Sequence, residues 1–412
     1  MANTLIDVAT YQPSALGMLQ NQNYYITAAN KKFKNFENTT ANLGDTVTFD
    51  LPPRFIAEDG LVLGANAFQD ATQRTHSLTV DQPKHVSYAF TAQERIFNVR
   101  DYMEKFGNSA MAELGQAIET NVALNNVNNT YRATGDGITD ISSHLQLAQA
   151  VANFRNYGAA NGEICGVIPD TKIPAIVNSG LQQFALNRGN KEAMDWELSD
   201  YSGAKWYSSN NLPTHEAGTV GNQAQTLTVV SINAAGTQLT LSGASNSDSD
   251  AIKSGDILTF NDGVSGQSNI RFLKWTGHTP SQQKVQVKAT ADAASNGSGQ
   301  VTVNIFPALV DATPLVADSN ITTPVVAGME LSVAPNHIAG LLYTKPALFL
   351  GMPQLPDESP FITANSIDME SGASLRMYYG SKFGENVRGL VHDAIWGSTL
   401  IPEYAMRLIF TV

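Results

Sequence analysis

The sequence predicts an α+β fold interrupted by a β-only segment, and three features predict it. Residues 101–129 carry Met103, Phe106, Ala110, Leu114, Ala117, Ile118 and Val122 at steps of three and four, one apolar stripe of a long helix. From Ala217-Gly-Thr-Val-Gly221 to about Ala334 the pattern becomes short alternating strands separated by Gly, Asn and Ser. After Gly328 the mixed character returns, so the α+β part reads as interrupted and then completed.

The elements follow in order. Residues 1–36 carry little periodicity and read as an extended or partly helical arm. Thr46 to Leu51 alternates, with Val47, Phe49 and Leu51 on one face, which predicts a half-buried strand. Pro52-Pro53 ends it because proline cannot donate to a ladder. A polar, loop-rich stretch follows to about Asp81, and the alternating Val86-Ser-Tyr88-Ala-Phe90 is the predicted return strand of a long hairpin. A connection of that length is uncommon without a use for it. Thr91-Ala-Gln-Glu94 has capping-box spacing, so a helix is expected to start at Thr91. An irregularity is expected near Asn98, then a helix over 101–129 of roughly 43 Å at 1.5 Å per residue. Its Asn-rich tail, Asn125 to Asn129, is expected to fray.

A second amphipathic helix is predicted over Ser142–Tyr157 through Leu145, Leu147, Ala148, Val151 and Phe154. Ile164-Cys-Gly-Val-Ile168 reads as a buried strand, and Thr171 as the cap of a helix with Pro174 in its first turn. In the β-only segment the candidate strands are Thr226–Ile232, Gln238–Ser242, Ile257–Phe260, Val285–Ala289 and Val301–Ile305. They predict an inserted barrel or sandwich of about 110 residues, enough to fold alone. Leu341 to Leu350 is a dense apolar element, and Leu375–Tyr379, Val387–Val391 and Ala405–Phe410 are strands. Gly44-Asp-Thr-Val-Thr-Phe49 and Gly255-Asp-Ile-Leu-Thr-Phe260 rhyme without any wider similarity around them, so they read as one turn-into-strand grammar and not as a duplication.

Composition narrows the function. The chain has 412 residues, 42% of them hydrophobic, which suggests two or three structural units. Only 15% are charged, and the polarity comes from Asn, Thr, Ser and Gln, a surface suited to extensive protein contact. Net charge is −12, and Lys31, Lys32 and Lys34 are the densest basic group, so tight nucleic-acid binding is not expected. Cys165 is the single cysteine, which excludes an intrachain disulfide and a thiolate metal cage. The N-terminus lacks a basic segment followed by an apolar one, so no secretory signal is expected. The most apolar run, Ile338 to Met352, is cut by Lys345-Pro346 and falls short of the roughly 20 residues that span a bilayer.

Chemistry is sparse. No phosphate loop and no Gly-x-Gly-x-x-Gly after a strand occurs. The seven histidines are scattered, with no pair at ligand spacing on a helix. Cys165 lies in an apolar strand with no basic neighbour in sequence and reads as a buried structural thiol. Asn246-Ser-Asp248-Ser-Asp250 begins like a calcium loop, but Ala251 and Ile257 stand where glycine and glutamate are required, so it reads as a solvated turn. Asp136 and Asp140 read as a turn and a helix cap, and Asp357-Glu358 as an exposed loop. No catalytic, cofactor-binding or metal-binding residues are assigned, and no cofactor is expected.

The order arm, long hairpin, long helix, mixed domain, β insert and return resembles the major capsid proteins of tailed bacteriophages with the Hong Kong 97-type fold. It is most similar to the coat-protein branch of short-tailed phages that carries a β-rich insertion domain. The stretches that carry the resemblance are Gly44-Asp-Thr-Val-Thr-Phe-Asp-Leu-Pro-Pro53, Lys253-Ser-Gly-Asp-Ile-Leu-Thr-Phe260, Asn336-His-Ile-Ala-Gly-Leu-Leu-Tyr-Thr-Lys-Pro-Ala-Leu348 and the closing strands. Their specificity lies in order and spacing.

The resemblance implies a set of parts. Residues 1–43 are the N-terminal arm, facing inward or binding scaffolding protein, and 44–90 are the E-loop hairpin that overlaps a neighbouring subunit. Residues 91–160 hold the spine helix and peripheral domain, 161–217 begin the axial domain, 218–334 are the inserted β-domain and 335–412 complete the axial and peripheral parts. It implies hexamers and pentamers that close an icosahedral shell around double-stranded DNA, a scaffolding protein during assembly, a portal protein at one vertex, no membrane, and assembly in the bacterial cytoplasm before residence in the virion. No lysine–asparagine crosslinking pair is placed, so shell strength is expected from non-covalent overlap. Arg54, Glu58, Asp59, Asp70 and Arg74 on the hairpin are the candidate inter-subunit residues, as rim charges that set register. Two other function classes remain: a β-rich surface or secreted binding protein, which would need an export route, and an enzyme with a dispersed site, which would need a cluster of perturbed carboxylates or histidines in a cleft.

Overall fold

The computed structural model describes residues 29, 44, 46–57, 74–159, 162–179, 200–263, 269–356, 362–368, 373–381 and 387–412. Nearly all of the N-terminal arm, Glu58, Asp59 and Asp70 of the hairpin, and Asp357-Glu358 lie outside them. Three strands, β1 (Thr46–Leu51), β2 (Arg74–Thr79) and β3 (Gln82–Thr91), precede α1 (Ala92–Asn128). Then come β4 (Ala133–Thr134), α2 (His144–Asn156), β5 (Ile164–Pro169), α3 (Ile173–Asn178), β6 (Asp200–Tyr201), β7 (Ala204–Ser209) and β8 (Thr214–His215). The short α4 (Thr219–Asn222) leads into β9 (Thr226–Ile232), β10 (Gln238–Ser242), β11 (Ile257–Phe260), β12 (Arg271–Leu273), β13 (Pro280–Lys284), β14 (Gln286–Ala289), β15 (Gln300–Phe306) and β16 (Glu330–Val333). The chain closes with β17 (His337–Thr344), β18 (Leu348–Gly351), β19 (Ile362–Asp368), β20 (Ala373–Ser381), β21 (Val387–Leu400) and β22 (Ala405–Thr411).

These elements form two compact units, one from residues up to 49 with 75–126 and 345–400, the other from 50–74, 127–344 and 401–412. In the first, β18, β21, β20 and β19 make a sheet to which β3 adds along β21. The β3–β21 register runs from Thr91 opposite Val387 to Gln82 opposite Trp396. The ribbon β1–β2 is a separate two-stranded sheet. Its root packs Leu78 and Val80, both fully buried, with Ile395, Phe49 and Phe349.

That pairing corrects the predicted hairpin. The strand that returns to β1 is β2, within the stretch read as loop, while Val86 to Phe90 belongs to β3 and pairs with β21. Arg-Thr-His-Ser-Leu-Thr alternates in burial, but only Leu78 is strongly apolar, too little to reveal a strand from sequence.

The long helix is also different in detail. α1 runs unbroken over 37 residues through Asn98, roughly 55 Å at 1.5 Å per residue. It does not fray at the asparagines: Asn126 is fully buried and its Nδ2 donates to Val122 O at 2.7 Å. Met111, Leu114, Ile118 and Val122 are buried, whereas Phe106 of the predicted stripe is 47% exposed. In α2 the cap is Ser143, whose Oγ and backbone form a reciprocal capping box with Gln146. Leu147, Val151 and Phe154 point inward, and Leu145 is exposed. Thr171 does not cap α3; residues 170–172 form a 3-10 turn that runs into it, with Lys172 at the cap position.

Besides the short ribbon β12–β13, the second unit holds two sheets among the described residues. One is mixed, in the order β4-β22-β17-β5-β7-β6 with β8 added on β17, and α2 covers it through Phe154, Ile168, Trp206, Met406 and Leu408. The other is a closed barrel, β10-β15-β14-β11-β16-β9, antiparallel throughout. Alternate residues such as Leu227, Leu239, Leu258, Val287, Val303 and Leu331 fill its interior completely, as the period of two requires. Closure leaves the barrel without open edges.

Candidate functional site

Two clusters of polar side chains tie the barrel into its unit, and the first is built on the Gly-Asp turn. Gly44 and Gly255 both hold positive φ, 93° and 88°, which only glycine adopts freely. Each donates its N–H to a strand-end carbonyl, Val80 O at 2.7 Å and Ala289 O at 2.8 Å. The two rhyming stretches thus share a turn, and the second adds chemistry. Asp256, 1% exposed, accepts from the N–H groups of Lys253 and Gly218 on one oxygen and from His215 Nε2 at 2.7 Å on the other.

Beside it stands Arg407 of β22, with no exposed surface. Its Nη2 donates to Val127 O at 2.8 Å, Nη1 to Gly255 O at 3.1 Å and Nε to Thr130 Oγ1 at 3.2 Å. Nη1 also lies 3.4 Å from His337 Nε2. One guanidinium therefore joins the last turn of α1, the barrel's Gly-Asp turn and β17. Burial lowers its pKa to about 10, partly opposed by Asp256. Lys288 of β14 donates to Asn128 O at 2.9 Å, and burial, with help from Arg407, lowers its pKa to about 8.

His337 is fully buried in this cluster. Its Nδ1 donates to Pro335 O at 2.7 Å, which leaves Nε2 as the acceptor facing Arg407. Burial first, and the charges of Arg407 and His215 after it, lower its pKa to about 3. A histidine held neutral this way stabilises the fold fully above its unfolded pKa near 6.5, and that stability is lost as pH falls toward 3. We expect the urea midpoint to drop between pH 7.5 and pH 4.5, by the equivalent of roughly 2–3 kcal/mol from His337. His337→Gln should remove much of that pH dependence. An equal slope in the variant would assign it elsewhere, for instance to His392, lowered to about 4 by burial.

The second cluster surrounds Trp275. The Arg54 and Arg74 guanidiniums lie 4.6 and 4.8 Å from its ring centroid, within cation–π range. Arg74 Nη1 donates to Glu403 Oε1 at 2.9 Å. Arg54 Nη2 reaches His278 Nε2 at 2.9 Å and Ser319 O at 3.4 Å, and burial lowers its pKa. Tyr157 and Tyr404 complete the aromatic neighbourhood at 6.2 and 6.3 Å between centroids. Behind them Arg132, 1% exposed, donates to Glu403 O and Ala405 O and lies 4.1 Å from the Tyr157 ring. Of the five residues singled out on the hairpin, Arg54 and Arg74 are brought together on Trp275; Glu58, Asp59 and Asp70 lie outside the described residues.

Asp136 is the turn expected, but Asp140 is not the helix cap expected of it, since Ser143 caps α2. Asp136 Oδ1 accepts from the N–H groups of Ile138 and Thr139 as a turn, and Asp140 pairs with Lys172 at 2.9 Å. Asp248 Oδ1 accepts from Asp250 N, again a turn. Cys165 is buried in β5. Among the described residues no group of three or more His, Cys, Asp or Glu side chains could hold a metal ion, and no helix is long and apolar enough to cross a membrane. A cleft of about 540 Å³ lies between the barrel wall and β4–β22, lined by a mixture of apolar residues and amides, among them Asn222, Gln225, Asn261 and Gln282.

No protein-family model and no curated protein matches the chain. Phage capsid structures align with most of the chain at low score. The capsid of Ralstonia phage GP4 aligns at TM-score 0.46 and 9% identity, over 93% of this chain and 87% of that one. A chain of Mycobacterium phage Che8 gives 0.46 at 10%, over 94% and 90%. The capsid structure of Cyanophage P-SCSP1u gives 0.42 at 12%, over 93% and 90%.

Several residues of both clusters were missed from sequence. Arg407 stands alone in the apolar run Ala405–Phe410, and a charge in such a run is a legible sign of a buried network. Arg132 and Glu403 carry no such sign, and Trp275 sits in an ordinary polar turn, Trp275-Thr-Gly-His278, so nothing local marks it.

Proposed function

We propose that the chain is the structural subunit of an icosahedral tailed-phage capsid with the Hong Kong 97-type architecture. It assembles as hexamers and pentamers into the shell around double-stranded DNA, and scaffolding and portal proteins join it during assembly in the bacterial host. In this reading residues 44–90 are the E-loop, α1 is the spine helix, the mixed sheet of the second unit is the axial part, and residues 218–334 with the barrel are the insertion domain. The protein acts through surfaces and is not an enzyme.

The observation that carries the reading is the ribbon β1–β2. Among the described residues neither strand pairs with any strand but the other. A two-stranded ribbon is marginal alone and its open edges invite pairing with another chain. A shell subunit supplies that chain many times over, which makes the exposed edge useful. Phe55, just past β1, is 57% exposed and adds apolar surface for such a contact. The net charge of −12 suits a wall against which DNA moves without sticking, because like charges within roughly 8–10 Å repel. Negative-stain microscopy of the chain expressed alone and with a scaffolding protein from the same genome tests this. Closed shells, or aberrant shells made uniform by the scaffold, are expected. Monomers or small oligomers in both samples would overturn it in favour of a β-rich binding module.

A further inference from the structure

We propose that Trp275 is a resting dock for Arg54 and Arg74, which leave it during assembly for carboxylates of a second copy of this chain. The inference rests on the shell-subunit reading and adds a self-restraining contact to it.

Four features of the dock suggest that it is displaceable. Two cations converge on one half-buried indole, at 4.6 and 4.8 Å, and their like charges oppose each other; burial first, and the Arg74 charge after it, lower the Arg54 pKa. Among the described residues only Arg74 has a direct carboxylate partner, Glu403 at 2.9 Å. Arg54 reaches the His278 ring and the Ser319 carbonyl, and the Asp318 carboxylate acts on it without a direct contact among the described residues. Its Nε is buried with no acceptor among the described residues. A buried guanidinium N–H without an acceptor is unfavourable, and a carboxylate that accepts two of its N–H groups in parallel would satisfy it.

The two arginines flank residues 55–73, so while both rest on Trp275 the two ends of that stretch are held to their own subunit. The preferred partner is acidic, since a guanidinium fork fits a carboxylate. A second copy is an abundant source: the chain has 37 acidic residues against 25 Lys and Arg. Contact with that copy therefore competes with Trp275, and a free subunit is restrained from assembling by its own aromatic side chain.

The test is a concentration series of the full chain with its scaffolding protein, followed by light scattering and microscopy, with circular dichroism as the folding control. Trp275→Leu, and separately Glu403→Gln, weaken the dock and leave the arginines free. Each is expected to lower the concentration at which shells form by about threefold, the scale of one cation–π or partly exposed ion-pair contact. The double change Arg54→Ala with Arg74→Ala removes the interface cations as well and is expected to raise it. If Trp275→Leu is misfolded, Glu403→Gln decides. A folded Glu403→Gln subunit with a wild-type or higher threshold would overturn the proposal. Acrylamide quenching, taken as the difference between each protein and its Trp275→Phe counterpart, reads the dock without assembly. Trp275 should be more accessible in the arginine double variant; equal quenching means the dock does not exist. Absence of shells from the wild type, with the dock confirmed by quenching, would instead remove the shell-subunit reading and the release step with it.

Discussion

Arg407→Met is expected to be the most destabilising single change in the second unit, by about 3–5 kcal/mol, the range for a buried charge network broken from one side. Methionine fills similar volume but supplies neither charge nor donor, so the loss falls on the buried Asp256 carboxylate and on the neutral partners. Gly255 O and Thr130 Oγ1 lose the guanidinium donor, while Val127 O keeps Thr130 N and Oγ1, and each buried acceptor left unmet costs about 1–3 kcal/mol. Arg407→Lys keeps the charge but cannot reach in three directions at once, so an intermediate loss is expected. The check is a urea titration in which the midpoint falls and the slope stays constant. Native-state hydrogen exchange should show protection lost first at residues 127–130 and 253–256, where the guanidinium joins its segments. A loss below about 1 kcal/mol with unchanged exchange would mean that water replaces the guanidinium and that this cluster is not what ties the barrel to β22.

The same cluster shows what a sequence can and cannot convey. Five of the six barrel strands were legible because they alternate, a local pattern that mirrors inside and outside, whereas the four-residue β16 was not predicted. β9, β10 and β11 fall on their predicted residues, and β14 and β15 within one residue of theirs. The buried β5 was equally plain from its apolar run. Partnership was not legible. β2 carries a weak pattern and is defined by β1, while β3 has a strong pattern that says nothing of β21 as its mate. The asparagine tail of α1 has poor helix propensity, yet Arg407 and Lys288 satisfy the carbonyls of Val127 and Asn128 and Asn126 is buried, so tertiary contacts override propensity. Arg54 and Arg74 were singled out for their charge on a polar stretch. Their meeting at Trp275, some two hundred residues on, is a property of the fold alone.

If the chain is the shell subunit proposed above, Gly397→Ala is expected to abolish shell formation while leaving the barrel intact. A Cβ at Gly397 of β21 would stand 2.0 Å from Thr79 O and 2.7 Å from Thr79 C. That oxygen belongs to the backbone at the end of β2, so no side-chain rotation relieves the overlap, and the ribbon root must move. Much depends on that root. Val80 O accepts from Gly44 N at 2.7 Å, Thr46 and Thr79 meet through their hydroxyls at 3.0 Å, and His76 Nε2 lies 2.8 Å from Thr399 Oγ1. Phe49 packs on Phe349 with the rings tilted by 40° and centroids 4.4 Å apart. Overpacking of this kind costs about 1–3 kcal/mol, a loss the whole unit can survive, but displacement of the ribbon changes where its open edges are presented to the next subunit. Gly389→Ala is the control on the same strand, because a Cβ there meets nothing within 4 Å. Sedimentation and microscopy of the two variants, with circular dichroism as the folding check, separate the outcomes. A folded Gly397→Ala subunit that forms normal shells would mean that the position of the ribbon root does not govern assembly. Shell loss in Gly397→Ala alone, with Gly389→Ala at wild-type yield, is what a ribbon that must be aimed at its neighbour requires.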